Sequence, residues 1–345
     1  MKIKLLLIAS AIVTFTNCTS QKSLSNAKDS NYVDVSKYVK IIKEDNLKKH
    51  LYIVASDDMQ GRNTGEAGQK KAGNYLIEQY QKINVHYPKG AADYYQAIPA
   101  SYFQKLFSPK LGDSENIWAF IEGSEKPDEI LVISAHYDHV GMKNGEVYNG
   151  ADDDGSGTVA LLEIAKAFQQ AKKDGNGPKR SILFLHVTGE EHGLHGSRYY
   201  TENPLFPLGK TIADINIDMI GRRDEAHNAS NDYVYVIGSD YLSTDLFNAV
   251  ENANKAYVNT SLDYKFNDRN DPNRFYYRSD HYNFAKNNIP SVFFFNGVHA
   301  DYHQPTDEAE KIEYDALEKR TKLAFAVAWE LANAKNRPVV DKSGN

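Results

Sequence analysis

The chain has 345 residues, 41% of them hydrophobic and 25% charged, which is enough apolar material for one large domain with a substantial core. A formal net charge of -6, with Lys and Arg scattered along the chain, leaves no basic footprint and excludes nucleic acid as an expected partner. Cys18 is the single cysteine, so no disulfide framework is available and no thiolate can act in the folded part.

Lys2 and Lys4 precede the apolar run Leu5 to Val13, the layout of an export signal and too short for a membrane span. Cys18 follows that run, and the polar, Ser-rich stretch behind it has the composition of a flexible tether. The segment resembles a bacterial lipoprotein signal in which Cys18 is lipidated. The expected organisation is an export signal over 1–18, a tether over 19–35, a single domain over 36–335 and a tail over 336–345. The expected location is outside the cytoplasm, as a periplasmic or outer-membrane lipoprotein, or alternatively as a secreted protein. No obligate protein partner is evident.

Val35 to His50 predicts an amphipathic helix, with Val39, Ile41 and Ile42 among Lys and Glu. The stretch ASDDMQGR predicts a turn, and Asn63 to Gln81 a second helix, capped by Thr64 and Glu66. From Asn116 on, apolar runs alternate with helical periods. Strands are expected at Asn116–Ile121, Ile130–Ala135, Ser181–Val187, Ile212–Met219, Tyr233–Gly238 and Ile289–Phe295. Helices are expected at Thr158–Ala171, His192–Asn203, Leu242–Ala256 and Tyr314–Ala334. This succession predicts an α/β fold: a mixed, mostly parallel sheet with helices on both faces. Asn259 to Arg278 shows no period, and its Phe266, Phe275, Tyr276 and Tyr277 are candidates for one wall of a pocket.

In open α/β sheets ligands bind beyond the carboxyl ends of the strands. Four predicted strand ends here carry metal-ligating chemistry. His136 and Asp138 follow the second strand; Gly189, Glu190 and Glu191 follow the third; Asp218 lies at the end of the fourth; His299, Asp301, Tyr302 and His303 follow the last. The loop GADDDGSG, with Asp152, Asp153 and Asp154, adds further carboxylate at the same edge. An adjacent Glu pair alone is usually a solvated helix start, and lone histidines such as His192, His195 and His227 are usually surface or hydrogen-bonded groups. Concurrence at one sheet edge is different, because carboxylates gathered there repel one another unless cations compensate them.

The motifs SAHYDHVG, NGADDDGSG, TGEEHGLHGS, NIDMIGR, RSDHYNFAKNNIP and DYHQPTDE, in this order, closely resemble the co-catalytic two-zinc aminopeptidase family, which includes bacterial leucyl aminopeptidase and aminopeptidase Y. The resemblance runs from about Leu51 to Ala334. It implies a phosphorylase/hydrolase-like zinc exopeptidase fold, without the protease-associated insert that some members carry, since the interval of roughly Tyr94 to Glu115 is too short for one. Carried over by motif, His136 and Asp218 would hold one metal, Glu191 and His303 the other, and Asp153 would bridge both. Asp138 would orient His136.

The implied reaction is hydrolysis of the N-terminal residue of peptides by water activated between two Zn2+ ions, cobalt or manganese also suiting the donors. Glu190 would be the general base, and Tyr302 would donate its hydroxyl to the developing oxyanion. Ser279, Asp280 and His281 match a segment near the substrate, with Asp280 and His281 expected to be structural. The rival readings are a carboxypeptidase or dipeptidase of the same superfamily, a glutaminyl cyclase, whose one-metal site lacks the GADDDGSG loop, and a non-enzymatic relative, which would have lost ligands that this chain retains.

Overall fold

The computed structural model describes residues 33–108 and 110–342, so the expected signal, Cys18 and most of the tether lie outside the described residues. From Asp34 on, the chain forms one unit. Its elements are α1 (Val35–Val39), α2 (Glu44–Val54), α3 (Ala67–Lys82), β1 (Tyr95–Ile98), α4 (Ala100–Lys105), β2 (Ser114–Ile121) and β3 (Lys126–His136). They continue as β4 (Gly141–Lys143), β5 (Glu146–Tyr148), α5 (Gly157–Lys173), β6 (Arg180–Val187), α6 (His195–Glu202), β7 (Thr211–Ile217) and β8 (Tyr233–Ile237). The last are α7 (Thr244–Ala253), β9 (Ser261–Asp263), α8 (His281–Ala285), β10 (Ser291–Phe295) and α9 (Tyr314–Asn333). Among the described residues no helix is long and apolar enough to cross a membrane.

Eight strands form one sheet in the order β1-β2-β6-β3-β7-β10-β8-β9. The central four, β6, β3, β7 and β10, are mutually parallel; β2 joins β6 and β8 joins β10 antiparallel. The parallel strands are mostly apolar because both faces are covered, and their buried polar side chains pair with one another, Ser134 Oγ of β3 lying 2.8 Å from Asp214 Oδ1 and 3.0 Å from Asn216 Oδ1 of β7. Ile130 and Val132 of β3 and Leu183, Leu185 and Val187 of β6 pack with Tyr200 of α6 and Phe284 of α8. On the alternate side of the pleat Phe184 meets Tyr80 of α3, and Phe168 of α5 packs on Phe325 of α9. Each such fully buried side chain contributes about 1.5–3 kcal/mol, so the sheet edge is carried on a rigid base.

The single helix expected over Val35–His50 is instead α1 and α2, separated at Lys40–Lys43. Leu47, Leu51 and Val54 then define the buried stripe of α2, one that the apolar Ile41 and Ile42 had obscured. Thr64 does not cap α3; its hydroxyl donates to Asp138 Oδ2 at 2.8 Å. The stretch Asn259–Arg278 contains β9, and its rings divide. Phe266, Phe275 and Tyr276 are buried in the cluster around Tyr235 and Phe295, whereas Tyr277 is exposed.

Candidate metal centre and active site

Sheet register brings the site together. His136, the last residue of β3, is level with Val187, the last of β6, and Glu190 and Glu191 follow three and four residues later. Asp218 directly follows β7, whose Ile217 is level with Phe294 of β10. The expected strand ran to Met219 but ends two residues earlier, at Ile217, so Asp218 stands at the strand's exit, where a side chain can turn into the cleft.

The aspartate triplet divides its work. Asp152 Oδ1 accepts the Gly221 amide at 2.6 Å, and its Oδ2 lies 3.1 Å from His299 Nε2. Asp154 Oδ1 accepts the amides of Gly157 at 2.8 Å and Met219 at 3.1 Å. Only Asp153 reaches both sides of the cleft, with Oδ1 3.1 Å from His136 Nε2 and Oδ2 3.0 Å from His303 Nε2. The loop is held in this shape by Asp307, whose carboxylate accepts the amides of Asp152 and Asp153 at 3.1 Å. Gly150 makes the turn possible, since at φ 53° a Cβ would stand 2.3 Å from Asp153 O and 2.4 Å from His139 Cγ.

Two buried donor groups result. His136, Asp153 and Asp218 each offer one atom within 4.8 Å of the others, and so do His139, Asp153 and Glu191. His303 joins the second group, its Nε2 2.9 Å from Glu191 Oε2. His136 Nε2, His139 Nδ1, Asp153 Oδ2 and Glu191 Oε1 are buried with no hydrogen-bond partner. Unpartnered buried polar atoms are costly, and imidazole with carboxylate is a donor set that zinc takes, so the residues present fit divalent cations.

The supporting contacts differ in part from expectation. His136 Nδ1 is 3.0 Å from the main-chain carbonyl of Asp138, while the Asp138 carboxylate is 3.8 Å away. The carboxylate instead accepts the Glu190 amide at 3.2 Å. Asp138 therefore orients the imidazole through its carbonyl and the Glu190 loop through its side chain. Ser279 Oγ donates to Asp218 Oδ2 at 2.6 Å and accepts from Asn216 Nδ2 at 2.7 Å. Asp280 accepts from Ser197 Oγ, and His281 stacks on Phe293, both serving the packing around β10. Arg62, fully buried in the stretch read as a turn, donates to the carbonyls of Val54, Tyr137, Asn149 and Gly150 at 2.6–2.9 Å. It ties the lead-in to both loops of the site.

Burial and the neighbouring acids set the electrostatics. Burial opposes charge on His136, but Glu190, Asp218 and Asp153 outweigh it and lift its pKa well above 6.5. Burial, with Glu191, Asp218 and Asp280 nearby, raises Glu190 well above the carboxylate range. The contacts to His136 and His303 overcome burial at Asp153 and hold it well below. Burial also raises the Tyr302 phenol, keeping it a neutral donor. Its ring stacks on His303 with centroids 3.9 Å apart.

Glu190 belongs to neither donor group: its Oε2 is 4.0 Å from His136 Nε2. It lines a small pocket of about 30 Å³ together with Asp153, Asp218 and Tyr302, whose apolar walls are Met219, Phe275, Phe293, Phe295 and Val298. Of the loop aromatics expected to line it, Phe275 alone does so; Phe266 and Tyr276 belong to the core. His192 and His195, left out of the site, bond to Asn63 and Ser108. His139 is the donor that sequence reasoning missed. It stands beside Asp138 in the same motif, and its proximity to Glu191 depends on a loop path that spacing does not reveal.

Residues 116–328 match the model of peptidase family M28. The sheet edge with its buried imidazole and carboxylate donors thus defines a metal-dependent α/β peptidase. The chain belongs to peptidase family M28. A probable leucine aminopeptidase of Trichophyton verrucosum is 31% identical over 226 residues, the match covering 64% of this chain and 58% of that protein. Leucine aminopeptidase 1 of Phaeosphaeria nodorum is 27% identical over 309 residues, covering 86% and 72%. Among solved structures, a zinc aminopeptidase from Bacillus subtilis superposes with TM-score 0.64 at 17% identity over 88% of this chain and 99% of that one. A Porphyromonas gingivalis glutaminyl cyclase superposes equally well, TM-score 0.64 at 19% identity over 84% and 98%. The shared fold therefore does not by itself choose the reaction.

Proposed function

We propose that the protein is a two-zinc aminopeptidase that removes the N-terminal residue of peptides. The observation that carries the reading is Asp153, one carboxylate spanning two buried donor groups, with Glu190 unligated beside it at the mouth of an apolar pocket. His136, Asp153 and Asp218 would hold one ion, and Asp153, Glu191 and His303 the other. Cobalt and manganese also suit these donors. Bound there, divalent cations acidify a water and polarise the scissile carbonyl.

Glu190 takes the proton of the attacking water and returns it to the leaving amine. The Asp138 carboxylate holds the Glu190 amide in place, and the Tyr302 hydroxyl donates to the oxygen on which charge develops. The apolar walls receive the first side chain, and the acidic wall of Glu190 and Asp218 favours a protonated α-amine. The names of the two leucine aminopeptidase relatives support this direction of cleavage.

One observation favours a second reading. Arg278 lines the same pocket, its guanidinium 5.0 Å from the Phe275 ring centroid, and a carboxypeptidase or dipeptidase would use such a cation to hold a free carboxylate. Hydrolysis of aminoacyl anilides with free and acetylated amines, and of N-acetylated peptides with free C-termini, before and after chelation, separates the two. Cleavage of free-amine substrates alone, lost to chelator and restored by zinc, is expected. Cleavage confined to peptides with free C-termini would install the second reading. We also propose export as a lipoprotein, on the strength of Lys2, Lys4, the Leu5 to Val13 run and Cys18. Palmitate labelling that persists in Cys18→Ala would refute lipidation there.

A further inference from the structure

Resting on the metal-binding reading above, we propose that His139 is itself a metal ligand through Nδ1, so that one of the two positions is closed by four protein donors and the other is left with three. His139 is fully buried, and neither ring nitrogen has a hydrogen-bond partner. Its Nδ1 lies 2.7 Å from Glu191 Oε1, an atom that is buried and unpartnered as well. At that distance the pair would be a short hydrogen bond if the ring N–H pointed along it. The ring and the carboxylate are not aligned as a hydrogen-bonded pair, and two buried donor atoms converge on one point, as ligands around a shared cation do.

The remaining contacts agree. Nδ1 is 3.8 Å from Asp153 Oδ2, the oxygen that His303 also approaches, and the His139 and His303 rings meet edge to face with centroids 5.7 Å apart. The two imidazoles take different oxygens of Glu191, His139 facing Oε1 and His303 facing Oε2. Buried histidines away from the cleft behave otherwise. His186 has the Tyr80 hydroxyl at 2.7 Å, and His281, whose nitrogens are also unpartnered, faces the rings of Tyr276 and Phe293 with no carboxylate between. His139 is placed by its amide, which donates to Arg62 O at 3.2 Å, and by the missing side chain of Gly150.

The two positions then differ in kind. His139, Asp153, Glu191 and His303 make a four-donor set, the closed arrangement typical of structural zinc. His136, Asp153 and Asp218 make a three-donor set that keeps a place open. The closed position should fill first and empty last, and exchange should be confined to the open one.

Cadmium alone, titrated into the full chain carrying nitrogen-15 histidine and read by cadmium-113 NMR, tests this by counting imidazoles on each ion. With two equivalents, one resonance should be split by two nitrogens and the other by one, and the doubly coupled resonance should appear first. In His139→Gln that resonance should fall to a single coupling. Two bound ions each coupled to one nitrogen in the wild type would overturn the assignment of His139 alone, and this result needs no variant to fold. Failure to bind cadmium at all would overturn the metal-binding reading and the assignment with it.

Discussion

Glu190→Gln is the sharpest test of the proposed chemistry. The substitution keeps the size and shape of the side chain and replaces a proton acceptor by an amide. The structure places Glu190 outside both donor groups, with its main-chain amide held by Asp138 at 3.2 Å and its nearest imidazole 4.0 Å away. Neither cation should therefore be lost, and the fold should be unchanged. A general base contributes roughly 10²–10⁴-fold to rate, or about 2.7–5.4 kcal/mol of transition-state stabilisation at about 1.36 kcal/mol per decade. The expected result is kcat reduced by that factor, KM within a few-fold of wild type and zinc content unaltered. Steady-state kinetics on a leucyl anilide, paired with metal analysis of the same preparation, measures all three. A kcat within tenfold of wild type at full metal occupancy would remove Glu190 from the proton transfer. Loss of metal along with activity would mean that Glu190 is a ligand, contrary to its position.

Three further outcomes are expected. Burial holds the His186 pKa down to about 3 against an ordinary 6.5, so the folded protein keeps it neutral while the unfolded chain binds a proton below 6.5. Its contribution is complete above pH 6.5 and is lost as the pH falls towards 3, by about 1.4 kcal/mol per unit; denaturant unfolding at two acidic pH values should show a shallower acid loss in His186→Gln. Gly150→Ala, whose methyl would meet Asp153 O and His139 Cγ at positive φ, should cost about 3 kcal/mol or more and abolish tight metal binding, read by thermal unfolding and zinc titration. Val298→Trp, on an exposed pocket wall, should lower kcat/KM for leucyl substrates at least about tenfold more than for alanyl ones while leaving the melting temperature unchanged; equal losses on both would remove Val298 from the substrate pocket.

The parallel strands were legible in sequence because burial on both faces writes a largely apolar run, broken in β7 by Asp214 and Asn216, and the ends of β3, β6, β7 and β10 fall within a few residues of expectation. Those ends pointed to His136, Glu190, Glu191, Asp218, Tyr302 and His303, whereas Asp153 was singled out of its triplet by the family resemblance; the fold brings all seven to one cleft. What stayed hidden depends on contacts distant in sequence. The edge strand β1 is four residues without a period and exists because β2 offers it a ladder. Thr64 has the composition of a helix cap, yet its hydroxyl serves Asp138, 74 residues on. Arg62 reads as a turn residue, although its guanidinium is fully buried against carbonyls from three segments. The hydroxyl of Ser279 reaches Asp218 across 61 residues, a pairing that no local pattern encodes.

The three consecutive aspartates show why such a site needs more acid than it uses for ligation. A carboxylate that spans two cations must be aimed from a rigid loop, and a loop tight enough to aim it leaves main-chain amides unpaired. Asp152 and Asp154 accept the amides of Gly221 and Met219, Asp154 also that of Gly157 three residues on, and Asp307 accepts the amides of Asp152 and Asp153. The triplet is thus one ligand with two splints, and Arg62 fastens the loop from behind through the carbonyls of Asn149 and Gly150. Burial, with Glu191, Asp218 and Asp280, raises Glu190, and burial with Asp218 raises Asp154. Cations at the two donor groups answer that same charge, so the geometry that aims Asp153 also creates the field that draws the metal in.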